Sequence, residues 1–289
     1  MVDQIFDRQA ITRFRQRAVR IGDKGAAFLL ARAAEEMADR LSLVDRKFEN
    51  PIITSANKAL TGTDFLDGTR HDGLNFSSQT TAEDWAQQSE ETPQETTGGH
   101  DLALSFLTLH ETNDTPGALV QIRNRLRPDG LFLGVMPGAG TLSELRECLL
   151  EAETELTGGA GPRVHPFADV RAAGALLQRA GFALPVVDGE TITARYADMF
   201  ALMRDLRAMG AVNAIAGRRK TASRRDVFLK AAQIYQERYA QADGKIPATF
   251  NLIWMSGWAP DASQPKPAKR GTATMSLNAA LNAADTEMG

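Results

Sequence analysis

Residues 102–136 read LALSFLTLHETNDTPGALVQIRNRLRPDGLFLGVM. Leu102 to Leu109 is a continuous apolar run, the pattern of a parallel strand covered on both faces. Asp114-Thr115-Pro116 is a helix start, with a capping carboxylate followed by proline in the first turn. Leu119, Ile122 and Leu126 recur at helical spacing and make the buried stripe of that helix. Pro128-Asp129-Gly130 reads as a turn, and Leu131 to Met136 as the next strand. Strand, helix and strand in this order predict a parallel pair joined by a helical crossover.

The rhythm continues toward the C-terminus. Thr141-Leu142-Ser143-Glu144 reads as a capping box opening a helix through Leu145, Leu149 and Ala152. Asp169 caps a second helix, with Val170, Ala173 and Leu177 inward and Gly181 as its stop. Phe182 to Val187 is a strand. A Met-rich helix follows over 197–209 and ends at Gly210. Another helix covers 223–240, and Phe250 to Trp258 is the final strand. Toward the N-terminus, Pro51 to Ala56 is a candidate first strand, and Gly73 to Ser77 a weak second one. Phe28, Leu29, Ala33, Met37 and Leu41 lie on one face of an amphipathic helix. Residues 5–20 are basic and weakly periodic, which predicts a helix on the surface. The polar stretch from Gln87 to Gly99 reads as a mobile loop.

These elements predict an α/β fold with a doubly wound, Rossmann-like sheet. The expected division is N-terminal helices at 1–45, an α/β core at 46–188 and a helical cap insertion at 189–245. A final core strand at 246–260 and a flexible tail at 261–289 complete it. The cap is expected over the carboxyl ends of the strands, where such sheets bind ligands.

The chain has 289 residues, 33 basic and 36 acidic, and a net charge of -3. That balance provides no overall basic field, so nucleic acid is not an expected partner. The single cysteine, Cys148, excludes a disulfide framework. No run approaches the roughly 18 apolar residues of a transmembrane helix, and the first residues do not read as a signal peptide. A cytoplasmic location without membrane insertion is the expectation.

Several blocks together carry a resemblance: IFDR at 5–8, SFLTLHETND at 105–114, LRPDGLFLG at 126–134, TLSELR at 141–146 and PRVHPFADV at 162–170. LLQRAGF at 176–182, MRDLRAMG at 203–210, DGKIPATF at 243–250, GWAP at 257–260 and SQPKPAKRGTA at 263–273 extend it. With these blocks the chain resembles the methyltransferase-like family of mitochondrial complex I assembly factor 5, a protein arginine hydroxylase, and its alphaproteobacterial relatives. The resemblance implies a seven-stranded methyltransferase sheet and S-adenosylmethionine in the crevice after the first strand. It also implies a protein substrate or partner, such as a subunit of respiratory complex I.

The chain departs from that family where the cofactor should sit. A glycine-rich turn after the first strand and an acid after the second would hold the methionine and ribose moieties. Here the first place reads Ile52-Ile53-Thr54-Ser55-Ala56-Asn57-Lys58-Ala59, with Gly62 as the first glycine. The second reads Asn75-Phe76-Ser77-Ser78. Side chains in a turn that needs positive φ cost about 1 kcal/mol each, so the loop must take another shape. Two readings follow. Either cofactor binding is weakened or lost, leaving a non-catalytic binding or assembly module, or the loop binds in another geometry. In the second case Ser55, Asn57, Gly62, Ser77 and Ser105 are the candidate cofactor contacts.

His110, just after the central apolar strand, is the candidate catalytic residue; it serves equally well as a residue that fixes the turn. Asn113 and Asp114 read as cap residues. His71, His100 and His165 are scattered without carboxylate spacing, so no metal is expected. Gly134 to Gly140 has the context of a phosphate loop but lacks the glycine spacing and the Lys-Ser/Thr, and reads as a close turn. Arg218, Arg219, Lys220, Arg224 and Arg225 form a basic cluster that reads as a solvated face. The stripe of Met199, Met203, Leu206 and Met209 reads as core, or as a lid.

Overall fold

The structure is a computed structural model that describes residues 4–23, 25–55 and 99–265. The weak strand expected at 73–77, the loop at 87–99 except its last residue, and all but the first residues of the tail lie outside them. Among the described residues, strands β1 (Pro51–Ser55), β2 (His100–Phe106), β3 (Leu126–Pro137), β4 (Ala183–Tyr196) and β5 (Ile246–Trp258) form one sheet. Its order is β1-β2-β3-β5-β4. The first three strands are parallel, and β5 lies antiparallel between β3 and β4. The fold is mixed α/β with five described strands.

Period-two alternation sends successive side chains to opposite faces of the sheet. Leu102, Leu104 and Phe106 of β2 point to one face, with Leu131, Leu133 and Val135 of β3. Helices α2 (Phe28–Ser42), α4 (Ser143–Thr157), α6 (Met199–Ala208) and α7 (Arg225–Tyr239) cover that face. Ala103 and Phe132 point to the other face, under α3 (Thr115–Arg125) and α5 (Val170–Ala180). Each central strand is therefore apolar on both sides, which is why 102–106 shows no polar alternation.

The local start and stop signals act mostly as expected. Asp114 accepts from Gly117 N at 2.9 Å, and Asp169 from Ala172 N at 2.7 Å. Gly181 closes α5 at φ 81°. The capping box at 141–144 is a correction. Leu142 is the N-cap of α4 and no side chain caps that helix. Thr141 instead exchanges two 3.0 Å hydrogen bonds with the backbone of Asn251, and Glu144 accepts from Thr249. Both side chains tie α4 to β5, and that tertiary contact outcompetes the local motif.

Two further differences concern the helices. The stretch expected to begin a cap at 189 continues as strand: β4 pairs with β5 all the way to Tyr196. Helices α6 and α7 pack into the layer on one sheet face, with Met199, Leu202 and Leu206 in its core. The first helix, α1 (Arg8–Ile21), does not simply rest on the surface, since Ala10, Ile11, Arg15 and Ala18 are buried. It docks with Phe6 onto Ala214 and Ile215. Gly210 makes the docking fit: it has φ 80°, and a Cβ there would lie 3.4 Å from Arg15 Cα.

Candidate functional site

The carboxyl end of β2 opens the site. After Phe106, Leu107 takes a left-handed φ of 54° and donates to Val135 O. A 3-10 turn, Leu109–Glu111, follows, anchored by the fully buried Leu109. The turn places His110 and Glu111 inward in succession. Thr112 closes it by donating to Leu109 O at 2.7 Å. Asn113 corrects an expectation: it is no cap but a bracket for the N-terminal segment, accepting from Phe6 N at 2.8 Å and donating to Phe6 O at 3.2 Å.

Three other segments converge on this turn. Phe6 bridges Ile215, and Asp7 N donates to Ala214 O. His165 accepts from Ala214 N at 3.2 Å on Nε2 and lies edge-on to Phe6, with ring centroids 5.0 Å apart. Phe167 lies 6.0 Å from His110 and 6.3 Å from His165. Arg15, from α1, reaches Glu111 Oε2 at 2.6 Å, and both side chains are buried. Arg8 donates to the Glu111 carbonyl. Segments 5–8, 105–114 and 162–170, separate blocks in the sequence, thus meet at one point.

Burial dominates the electrostatics. It pushes the His110 pKa down to about 4, against the attraction of Glu111. His165 is lowered by the same cause. Burial pushes Glu111 up, but the Arg15 guanidinium beside it holds it below its ordinary value. At neutral pH the site holds neutral imidazoles beside an ionised carboxylate, which carries a buried guanidinium as counter-ion.

His110, expected as a pocket histidine, is therefore in a polar cluster. His165 was expected to stand apart from it, yet the fold brings the two imidazole rings to 6.3 Å. Glu111 carries no separate signal in the sequence, and Arg15 lies unmarked within a basic helix. The available signal was that HETND and PRVHPF are the two histidine-bearing blocks of the resemblance.

The candidate cofactor contacts fare differently. Asn57, Gly62 and Ser77 lie outside the described residues. Ser55 ends β1 and is buried; Ser105 is buried with its hydroxyl 3.2 Å from that of Thr108. Neither serine presents an open donor to a ligand. Of the acids that follow β2, Glu111 is held by Arg15, and Asp114 caps α3. The described residues thus do not supply the contacts that S-adenosylmethionine demands, and no chemical step is derived through it.

The glycine turn after β3 has also used its donors. Gly138 N donates to Asn251 O and Ala139 N to Ala168 O, so no N–H cradle for phosphate forms there. The basic cluster at 218–225 is partly spent as well, with Arg218 on Asp7 and Arg224 on Asp226. A cavity of about 190 Å³ lies away from the histidines, lined by Arg40, Asp188, Trp254 and Trp258 among others. Its charged groups are paired, with Arg40 on Asp188 at 3.0 Å. Its volume therefore does not mark it as the reactive centre.

The comparisons with known proteins bear on this geometry. No family model matches the chain. The zebrafish (Danio rerio) protein named Arginine-hydroxylase NDUFAF5, mitochondrial, is 48% identical over 177 residues, which is 61% of this chain and 55% of that protein. The Homo sapiens protein of the same name is 48% identical over 177 residues, or 51% of its length. Over that stretch the chain is similar to the proteins named NDUFAF5 arginine-hydroxylases. It spans about half the length of these relatives. A malonyl-[acyl-carrier protein] O-methyltransferase of Xylella fastidiosa is 38% identical over 160 residues, 55% of this chain and 52% of that protein. Among solved structures, a methyltransferase-named protein from Bacillus halodurans covers 78% of this chain and 99% of its own, at 12% identity and a TM-score of 0.46.

The relatives' names correct one expectation. They are called mitochondrial, which overturns the cytoplasmic location. That location rested on the absence of targeting features near the start, and such an absence decides nothing about compartment.

Proposed function

We propose that this protein modifies an arginine side chain on a partner protein, in the manner named for its arginine-hydroxylase relatives. The observation that carries the reading is the 48% identity over 177 residues to proteins of that activity. The structure supports it with a buried cluster of His110, Glu111, His165 and Arg15 at the carboxyl end of β2, the side of an open parallel sheet where ligands bind. Burial keeps both imidazoles neutral, so they offer lone pairs rather than charge, and Arg15 keeps Glu111 ionised and oriented. Phe6 and Phe167 wall the imidazoles with apolar surface. A subunit of respiratory complex I is the partner of choice.

Methyl transfer is the second reading, favoured by the 38% identity to an O-methyltransferase. In that case S-adenosylmethionine is the cofactor, and Asn57, Gly62 and Ser77 remain its proposed contacts. The non-catalytic module has no such match in its favour.

The test is a gene deletion in the source cells, followed by mass spectrometry of arginine residues across complex I. The expected result is an arginine that carries an added oxygen atom in the parent and loses it in the deletion strain. An added methyl group instead supports the second reading, which calorimetric titration with S-adenosylmethionine then checks. Identical arginine maps in both strains contradict the proposal.

A further inference from the structure

We propose that His110, Glu111 and His165 form a binding site for a divalent transition-metal ion. One ligand atom from each residue lies within 4.8 Å of the others. Two imidazole nitrogens and a carboxylate oxygen are a donor set for iron(II), zinc(II) or cobalt(II), and the two-histidine, one-carboxylate set leaves coordination positions open.

Unspent lone pairs point the same way. His110 Nδ1 is buried and has no hydrogen-bond partner among the described residues. Buried polar atoms nearly always have one. Glu111 gives Oε2 to Arg15, while Oε1 stands 4.0 Å from His110 Nε2. That gap is too long for a hydrogen bond. Metal–ligand bonds of about 2.0–2.2 Å put neighbouring donor atoms roughly 3–3.5 Å apart. An ion would therefore draw donor atoms that lie up to 4.8 Å apart together by roughly 1–2 Å.

The surroundings have the build of an outer shell. Arg15 fixes the orientation of the carboxylate through Oε2 and leaves Oε1 for the ion. Phe6 and Phe167 hold both rings. His165 accepts the Ala214 N–H on Nε2 at 3.2 Å, and because a neutral imidazole has a single lone pair it gives up that contact to ligate the ion. The site stands on this geometry alone. Only the choice of iron(II) as the resident ion rests on the arginine-hydroxylase reading.

The test uses the full chain, stripped with a chelator and titrated with cobalt(II) as a spectroscopic probe. Visible ligand-field bands that saturate, together with a higher unfolding temperature, are expected. His165→Asn and Glu111→Gln each weaken binding by more than the roughly 10–100-fold that outer-shell changes cost, and His71→Asn leaves it unchanged. Should a variant unfold, X-ray absorption of the iron-loaded wild type decides, with imidazole scattering in support and its absence against. A folded wild type that binds none of cobalt(II), iron(II) or zinc(II), or variants that bind as tightly as it does, overturns the site. Metal binding without any arginine modification keeps the site and removes the arginine reading; modification by a chain that binds no metal does the reverse.

Discussion

At the scale of single residues, the Arg15–Glu111 pair is the most consequential contact. Its side chains keep 5% and 7% of their exposure, so removing one partner strands a buried charge. Arg15→Ala is expected to cost about 3–5 kcal/mol in chemical denaturation. Arg15→Met combined with Glu111→Gln should recover much of that loss, because no charge is left unpaired. Gly210 is the second such position. With φ at 80° and Arg15 Cα within 3.4 Å of a built Cβ, Gly210→Ala is expected to cost about 1 kcal/mol or more. Thermal unfolding checks it, and a neutral result would mean that α1 shifts freely. Neither residue's role could be read from the sequence, because Arg15 looks like any other arginine of a basic helix. Its partner sits far along the chain.

At the scale of elements, what was legible and what was not divide by range. The strands expected at 102–109 and 131–136 and the caps Asp114 and Asp169 depend on neighbouring residues and are present, although β2 stops at Phe106 and β3 starts at Leu126, so that the expected turn at 128–130 is strand. The capping box failed because Thr141 and Glu144 have partners on β5, which no local pattern contains. Strand β4 runs to Tyr196 because β5 pairs with it along that whole length, and the alternation of Thr191, Ile192, Thr193, Ala194, Arg195 and Tyr196 is the local signal for it. Asn251 is the hub of that region: it donates to Ala139 O at 2.9 Å and accepts from Thr191 at 2.7 Å. Asn251→Ala is expected to lower stability by about 1–3 kcal/mol, by leaving those groups unpaired. Hydrogen exchange should show the loss first in β4 and in the turn before α4; uniform loss across the sheet would count against a local role.

At the scale of the whole molecule, ion pairs bind distant segments to the core. Asp7 meets Arg218, Glu153 meets Arg163 and Asp129 meets Arg46. In each case the arginine's hydrogen bond lowers the carboxyl pKa below its free value of 3.8 or 4.5. A depressed folded value means that the unfolded chain takes up protons first on acidification. Their stabilisation is therefore complete above the free values and fades as pH falls through the folded ones. Glu153→Gln should flatten that acid limb in pH-dependent denaturation; an unchanged slope would remove Glu153 from the account. The candidate site is also a whole-molecule feature, since His110, His165 and Arg15 come from three segments that only the complete fold assembles. Its functional role is tested most directly by complementing the deletion strain with His165→Asn, which keeps an acceptor for Ala214 N–H, and mapping complex I arginines. Loss of the added oxygen atom from a stably folded variant is the predicted result, and its persistence at the wild-type level would contradict the account.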